Sequence, residues 1–106
     1  MMYGPNTNIV ANGSITYFSE CQSAYITGCV GLLAAEGSSS LDCRPGVHDA
    51  YNAEIDAANL LRAWGVADVP SWYRNRFGRS AQNWPYDLVH YWRLTHEVRP
   101  ADYVLG

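Results

Sequence analysis

Apolar residues recur at steps of three and four from Phe18 to Leu33. Phe18, Tyr25, Ile26, Cys29 and Leu33 share one side of a helical projection with Gln22. That stripe predicts an amphipathic helix over roughly residues 15–36. Ser14 stands at its N-cap position and Gly37 at its C′ position. Gly28 and Gly31 lie inside it, each costing about 0.5–1 kcal/mol against Ala. Such a cost predicts a neighbour packed close against that face.

A second period runs through Val47, Tyr51, Ile55, Ala58 and Leu61, opened by Pro45 and ended by Gly65. Between the two helices, Ser38-Ser39-Ser40 reads as a linker and Leu41-Asp42-Cys43 as a brief strand. Ahead of the first helix, Tyr3-Gly4-Pro5-Asn6-Thr7-Asn8 reads as the end of a strand entering a loop, with a further turn at Asn12-Gly13. Residues 66–83 lack a period and read as loop. Pro85 is expected to open a third helix to about His96, with Leu88, Val89 and Trp92 inward. The segment Ala101–Leu105 reads as a short terminal strand. The expected class is α+β, mostly helical, without repeats.

Composition narrows the possibilities. At 106 residues the chain has one-domain length, and 48% hydrophobic residues exclude disorder. Fourteen aromatics must pack on a core or a partner. The net charge of −3 gives no footprint for nucleic acid. All seven basic residues are Arg, suited to bidentate contacts with phosphate, although codon bias suffices to explain them. Cys21, Cys29 and Cys43 are odd in number and lack CxxC spacing. They read as buried thiols in a reducing, cytoplasmic compartment rather than a disulfide framework or zinc site. No apolar run suggests a membrane span, and no signal peptide is expected.

Candidate chemistry is sparse. There is no GxGxxG, GxxxxGK[ST] or GxSxG sequence. His48 and Glu54, like His90 and His96, are six apart and fall on different helix faces, so no metal site and no catalytic residue is assigned. Two features remain. The loop Asn6–Gly13 delivers the chain to a capped helix N-terminus, which either stabilises an electron-rich ligand oxygen or is an ordinary cap. Ser71-Trp72-Tyr73 sits in a loop rich in Arg and Asn, where Trp72 either clamps a ligand or plugs the core.

Taken together, Tyr3-Gly4-Pro5-Asn6-Thr7-Asn8, Asn12-Gly13-Ser14, Glu20-Cys21-Gln22 with Tyr25-Ile26, Arg44-Pro45, His48-Asp49-Ala50-Tyr51-Asn52, Ser71-Trp72-Tyr73, Gly78-Arg79, Trp84-Pro85, Tyr91-Trp92-Arg93 and Pro100-Ala101-Asp102-Tyr103 form an ordered series. In order and spacing this series resembles the C-terminal end of Baeyer–Villiger-type flavin-dependent monooxygenases, the branch containing 4-hydroxyacetophenone monooxygenase and its cyclohexanone monooxygenase-like relatives. No single motif in it is specific.

The resemblance implies the C-terminal portion of an FAD/NAD(P)-binding fold with two dinucleotide-binding domains. Residues 1–37 would end the FAD-binding domain and 38–106 would form a helical and loop extension. It implies FAD and NADPH as cofactors, and a small organic ketone or heteroatom compound as substrate. One oxygen atom of dioxygen is inserted next to the ketone or placed on the heteroatom. Asn6, Thr7, Asn8, Asn12 and Gly13 carry over as flavin-side positions, and Trp72 as the cofactor contact. Arg79 replaces a Lys found in the better-known branch. The glycine-rich fingerprints, the Phe-x-Gly-x-x-x-His signature and the Arg at the flavin are not in this chain. The chain is therefore expected to be a gene fragment, a mis-called start or a split subunit, inactive without upstream FAD and NADPH domains. Phe18, Tyr25, Ile26 and Leu33 are expected to face that missing partner. The alternative is a stand-alone, non-enzymatic interaction module with an aromatic surface.

Overall fold

In the computed structural model, which describes residues 3–9, 13–66 and 70–106, Ser14 begins the longest element. Its backbone is extended and its Oγ accepts from the Tyr17 N–H, so helix α1 (Ile15–Glu36) starts with a satisfied first turn. Gly37 ends it at φ 63°, its N–H donating to the Leu33 carbonyl. Inside the helix the two glycines differ. A Cβ at Gly28 would lie 2.8 Å from Val98 Cγ2, the close neighbour expected, whereas nothing lies within 4 Å of one at Gly31.

Strand β1 (Leu41–Cys43) follows and pairs antiparallel with β2 (Tyr103–Leu105), Leu41 opposite Leu105. The Ser39 and Ser40 N–H groups extend the ladder by donating to the Gly106 carbonyl. Both strands fall where the sequence puts them. Cys43 is exposed on this sheet and Cys29 is half-buried, so of the three thiols expected to be buried only Cys21 is.

Pro45 opens α2 (Pro45–Leu60) as expected. The helix stops short of Gly65, however, and Leu61, expected inward, is 84% exposed. The chain doubles back here into the short helix α3 (Ala63–Val66). A Cβ at Gly65 would come within 1.9 Å of the Asn59 carbonyl oxygen, so the reversal depends on glycine at that point. The fold-back is held by Trp64, whose Nε1 donates to Asn59 Oδ1.

Helix α4 (Leu88–Thr95) begins three residues later than expected, because Asp87 rather than Pro85 sets its start. Its carboxylate accepts from the His90 N–H. The inward face differs too. Tyr91 is buried and Leu88 packs on the core, whereas Val89 is 54% and Trp92 46% exposed. With eight residues the helix has one inward turn. Tyr91 takes it by stacking on Phe18 at 4.0 Å, and Trp92 stacks on His96 outside.

The core is Phe18, Cys21, Ile55, Trp84 and Tyr91. Phe18, expected to face a partner, is fully buried at its centre. Tyr25 and Leu33 are half-buried, and only Ile26, with Val30 beside it, is exposed on that face. Residues 3–9 form turns rather than the end of a strand. Tyr3 and Asn6 take φ of 55° and 58°, which interrupts an extended run. No helix among the described residues is long and apolar enough to cross a membrane.

Candidate functional site

The loop 3–9 is anchored by amides. The Asn6 N–H donates to the Ala81 carbonyl, and Asn6 Nδ2 donates to the Ser80 and Asn83 carbonyls at 2.8 and 3.2 Å. Asn8 exchanges backbone bonds with Gln82 and Trp84, and its Nδ2 donates to Asn83 Oδ1. Thr7 Oγ1 donates to the Gly4 carbonyl. Asn59 of α2 reaches the same Asn83 carbonyl. Asn83 is fully buried at the middle of this network. Sequence reasoning missed it, although an amide directly before the buried Trp84-Pro85 pair was the available signal.

This anchoring shapes an open cleft of about 750 Å³, walled by Tyr3 to Ile9 on one side and by Gly13, Ile15, Ala81 and Gln82 on the other. Thr7, Asn8 and Gly13 of the predicted flavin-side set meet here. Asn6 lies beneath the wall, 1% exposed, and acts as its anchor. Asn12 lies outside the described residues. The cleft opens at the start of α1, where the first-turn N–H groups have no intrahelical acceptor and the helix dipole is positive.

The second predicted element is apart from this cleft. Trp72 is 66% exposed and packs on Tyr73 at 4.4 Å. It is therefore not a core plug. Its carbonyl accepts from Gln82 Nε2, which ties its loop to the cleft wall. Arg79 is held by α2: its Nε donates to both Asp56 carboxylate oxygens at 2.8 and 3.0 Å, and its Nη2 to Asn52. Arg74 donates to the Gly65 carbonyl and lies with Arg79 around a smaller cavity of about 350 Å³. His48 pairs with Asp49 and Asn52, while Glu54 faces His90 at 3.5 Å, so His48 and Glu54 do not converge.

Four tyrosines line the space between α1, α2, α4 and β2. The Tyr25 and Tyr103 hydroxyls bond to each other. Burial pushes the Tyr51 phenol up to about 12, with Tyr91 adding to the effect, and raises Tyr25, Tyr91 and Tyr103 as well. The folded chain therefore holds these protons more tightly than the unfolded one. The associated stability is complete below the ordinary value of 10.0 and is lost as pH rises through about 12. Melting temperatures should hold steady to about pH 10 and then fall together with the appearance of phenolate absorbance. A melting temperature independent of pH across that window would contradict the burial of these hydroxyls.

No protein-family model and no solved structure matches the chain. Three curated proteins do. An uncharacterized monooxygenase, y4iD, of Sinorhizobium fredii is 30% identical over 97% of the chain. The FAD-binding monooxygenase ktnD of Aspergillus niger is 31% identical over 99%, and a Baeyer–Villiger monooxygenase of Pseudomonas aeruginosa is 29% identical over 98%. The chain spans only 16–20% of the length of these relatives. They do not favour the stand-alone interaction module. Similarity over nearly its whole length relates the chain, as one segment, to monooxygenases that include FAD-binding and Baeyer–Villiger members.

Proposed function

We propose that the chain is the C-terminal segment of an FAD- and NADPH-dependent monooxygenase that inserts one oxygen atom from dioxygen into a ketone or places it on a heteroatom. The observation that carries this is the cleft at the start of α1, set in a chain related to monooxygenases over nearly its whole length. Its volume falls in the usual range for ligand sites, roughly 300–1,000 Å³. The residues fit the ring end of a flavin. Asn6, Thr7 and Asn8 spend their side chains on internal bonds, which makes the wall rigid. The α1 dipole favours an electron-rich oxygen at its mouth. When bound, the flavin supplies the reduction of dioxygen. The chain's residues orient the ring and exclude water from one side.

The rest of the cofactor needs other parts of the protein. A pyrophosphate is held by a glycine-rich turn at a helix N-terminus, and this sequence has none. Flavin fluorescence titration of the isolated chain should therefore show no complex at micromolar concentrations, whereas a tight complex would contradict the segment reading. In a chimera, the chain takes the place of the matching segment of the Pseudomonas aeruginosa relative. Retention of FAD and NADPH oxidation there supports the assignment, and a folded chimera that has lost both overturns it.

On this reading the loop around Trp72 faces the nicotinamide cofactor, with Arg74 and Arg79 near its phosphates. Phosphate contact by Arg79 would displace Asp56. In the same chimera Trp72→Ala should raise the KM for NADPH about tenfold, the worth of one aromatic contact. An exposed side chain leaves stability within about 0.5 kcal/mol. A collapsed melting temperature with normal kinetics would make Trp72 structural.

A further inference from the structure

The cleft and the Trp72 loop meet at one residue. Gln82 lines the cleft, and its carbonyl accepts from the Asn8 N–H at 2.8 Å. That bond belongs to a parallel bridge in which Asn8 lies opposite the fully buried Asn83. The backbone at position 82 is therefore fixed relative to the cleft. Its side chain reaches the other way: Nε2 donates to the Trp72 carbonyl at 2.9 Å, across ten positions of sequence.

The Trp72 loop depends on such a tie. The Ser71 carbonyl accepts from the Arg74 N–H, and Ser71 Oγ accepts from the Tyr73 N–H, which closes a tight turn. Arg74 bridges to Ser80 and donates to the Gly65 carbonyl, which anchors the far end of that turn. These bonds shape the turn without placing its tip. Among the described residues, Gln82 makes the one hydrogen bond that reaches Ser71, Trp72 or Tyr73 from outside the turn. Burial does not place the tip either, because the Trp72 side chain is 66% exposed and packs on its neighbour Tyr73.

We propose that Gln82 is a positioning residue that latches the Trp72 loop to the cleft wall, so that the indole is in place before the nicotinamide cofactor arrives. The part played by NADPH rests on the monooxygenase reading, and the latch itself does not. A loop held in advance has less ordering left to do when its ligand binds. Apparent affinity falls in proportion to the fraction of molecules in the competent arrangement. One net hydrogen bond favours the latched loop about threefold to tenfold. Once bound, the cofactor itself holds the loop, so the latch acts on KM more than on kcat.

Two variants test this. Gln82→Met keeps the length of the side chain and removes its donor, and Gln82→Lys keeps a donor at similar reach. In the 106-residue chain, NMR order parameters of the Trp72 and Tyr73 amides should lie near the rigid-backbone value of about 0.85 and fall towards about 0.6 in Gln82→Met. That of Asn8, held through the Gln82 backbone, should stay as it is. Gln82→Lys should restore the loop values. In the chimera, Gln82→Met should raise the KM for NADPH about threefold to tenfold, with kcat moved far less, and Gln82→Lys should recover most of the loss. On a Trp72→Ala background Gln82→Met should add nothing, because the latch acts through the indole. Loop order parameters that Gln82→Met leaves unchanged overturn the proposal, as do values that fall equally at Asn8. A KM that stays fixed, or that rises equally with and without the Trp72 indole, overturns it too. A chimera that has lost FAD and NADPH oxidation counts against the monooxygenase reading, and the order parameters then decide the latch by themselves.

Discussion

Phe18→Ala is expected to bring the chain close to global unfolding. Phe18 is fully buried, stacks on Tyr91 at 4.0 Å and meets Trp84 edge-on at 6.4 Å. Its ring is the contact through which α1 holds α4 and the segment before it. Truncating a buried Phe costs about 3–5 kcal/mol, the lost transfer energy plus the cavity left behind. Against a total of roughly 5–15 kcal/mol, that is a large share of the stability. At several degrees per kcal/mol the melting temperature should drop by about 15–30 °C. Thermal circular dichroism measures this. Ile26→Ala is the control, because Ile26 lies on the same helix but is 40% exposed; its shift should be a few degrees at most. Equal shifts for the two variants would mean that α1 is not anchored through Phe18.

Asn6→Leu should have the next largest effect, and a different one. Asn6 is 1% exposed, and its Nδ2 serves the Ser80 and Asn83 carbonyls. Removing a donor from buried acceptors costs about 1–3 kcal/mol. Asn6 also sits at φ 58°, a conformation that Asn tolerates and Leu does not, adding about 1–2 kcal/mol. The sum, about 2–5 kcal/mol, falls mainly on the loop that walls the cleft. Amide exchange at Asn8, whose N–H donates to the Gln82 carbonyl, should accelerate far more than exchange in the middle of α1. Uniform acceleration across the chain would show instead that the asparagine network supports the whole fold and not the loop in particular.

Much of the fold was legible because its signals are local. The Ser14 cap, the Gly37 stop, Pro45 at the head of α2 and the two short strands each rest on neighbours in sequence. What could not be read depends on distant partners. The phase of α4 is set by Tyr91 stacking on Phe18 from the other end of the chain. The early stop of α2 follows from Gly65 folding back on Asn59. The candidate site divides in the same way. Thr7, Asn8 and Gly13 lie close in sequence, on one loop, and line one cleft. The roles of Asn6 as anchor and Asn83 as hub are visible only once residues more than 70 positions apart meet.

Those separations bear on how the chain is made. Asn6 bonds to Asn83, Tyr25 to Tyr103 and Ser39 to Gly106, partners 77, 78 and 67 residues apart. Long separations slow folding, because loop closure must precede the contacts that reward it. A ribosome adds about 5–20 residues per second, so α1 emerges several seconds before Trp84 and Tyr91 exist to cover it. Throughout that interval Phe18, Ile26 and Val30 form a bare apolar ridge on a helix already long enough to form. The segment is thus most prone to aggregate in that window, and holding chaperones would act on α1 before Trp84 and Tyr91 had been synthesised.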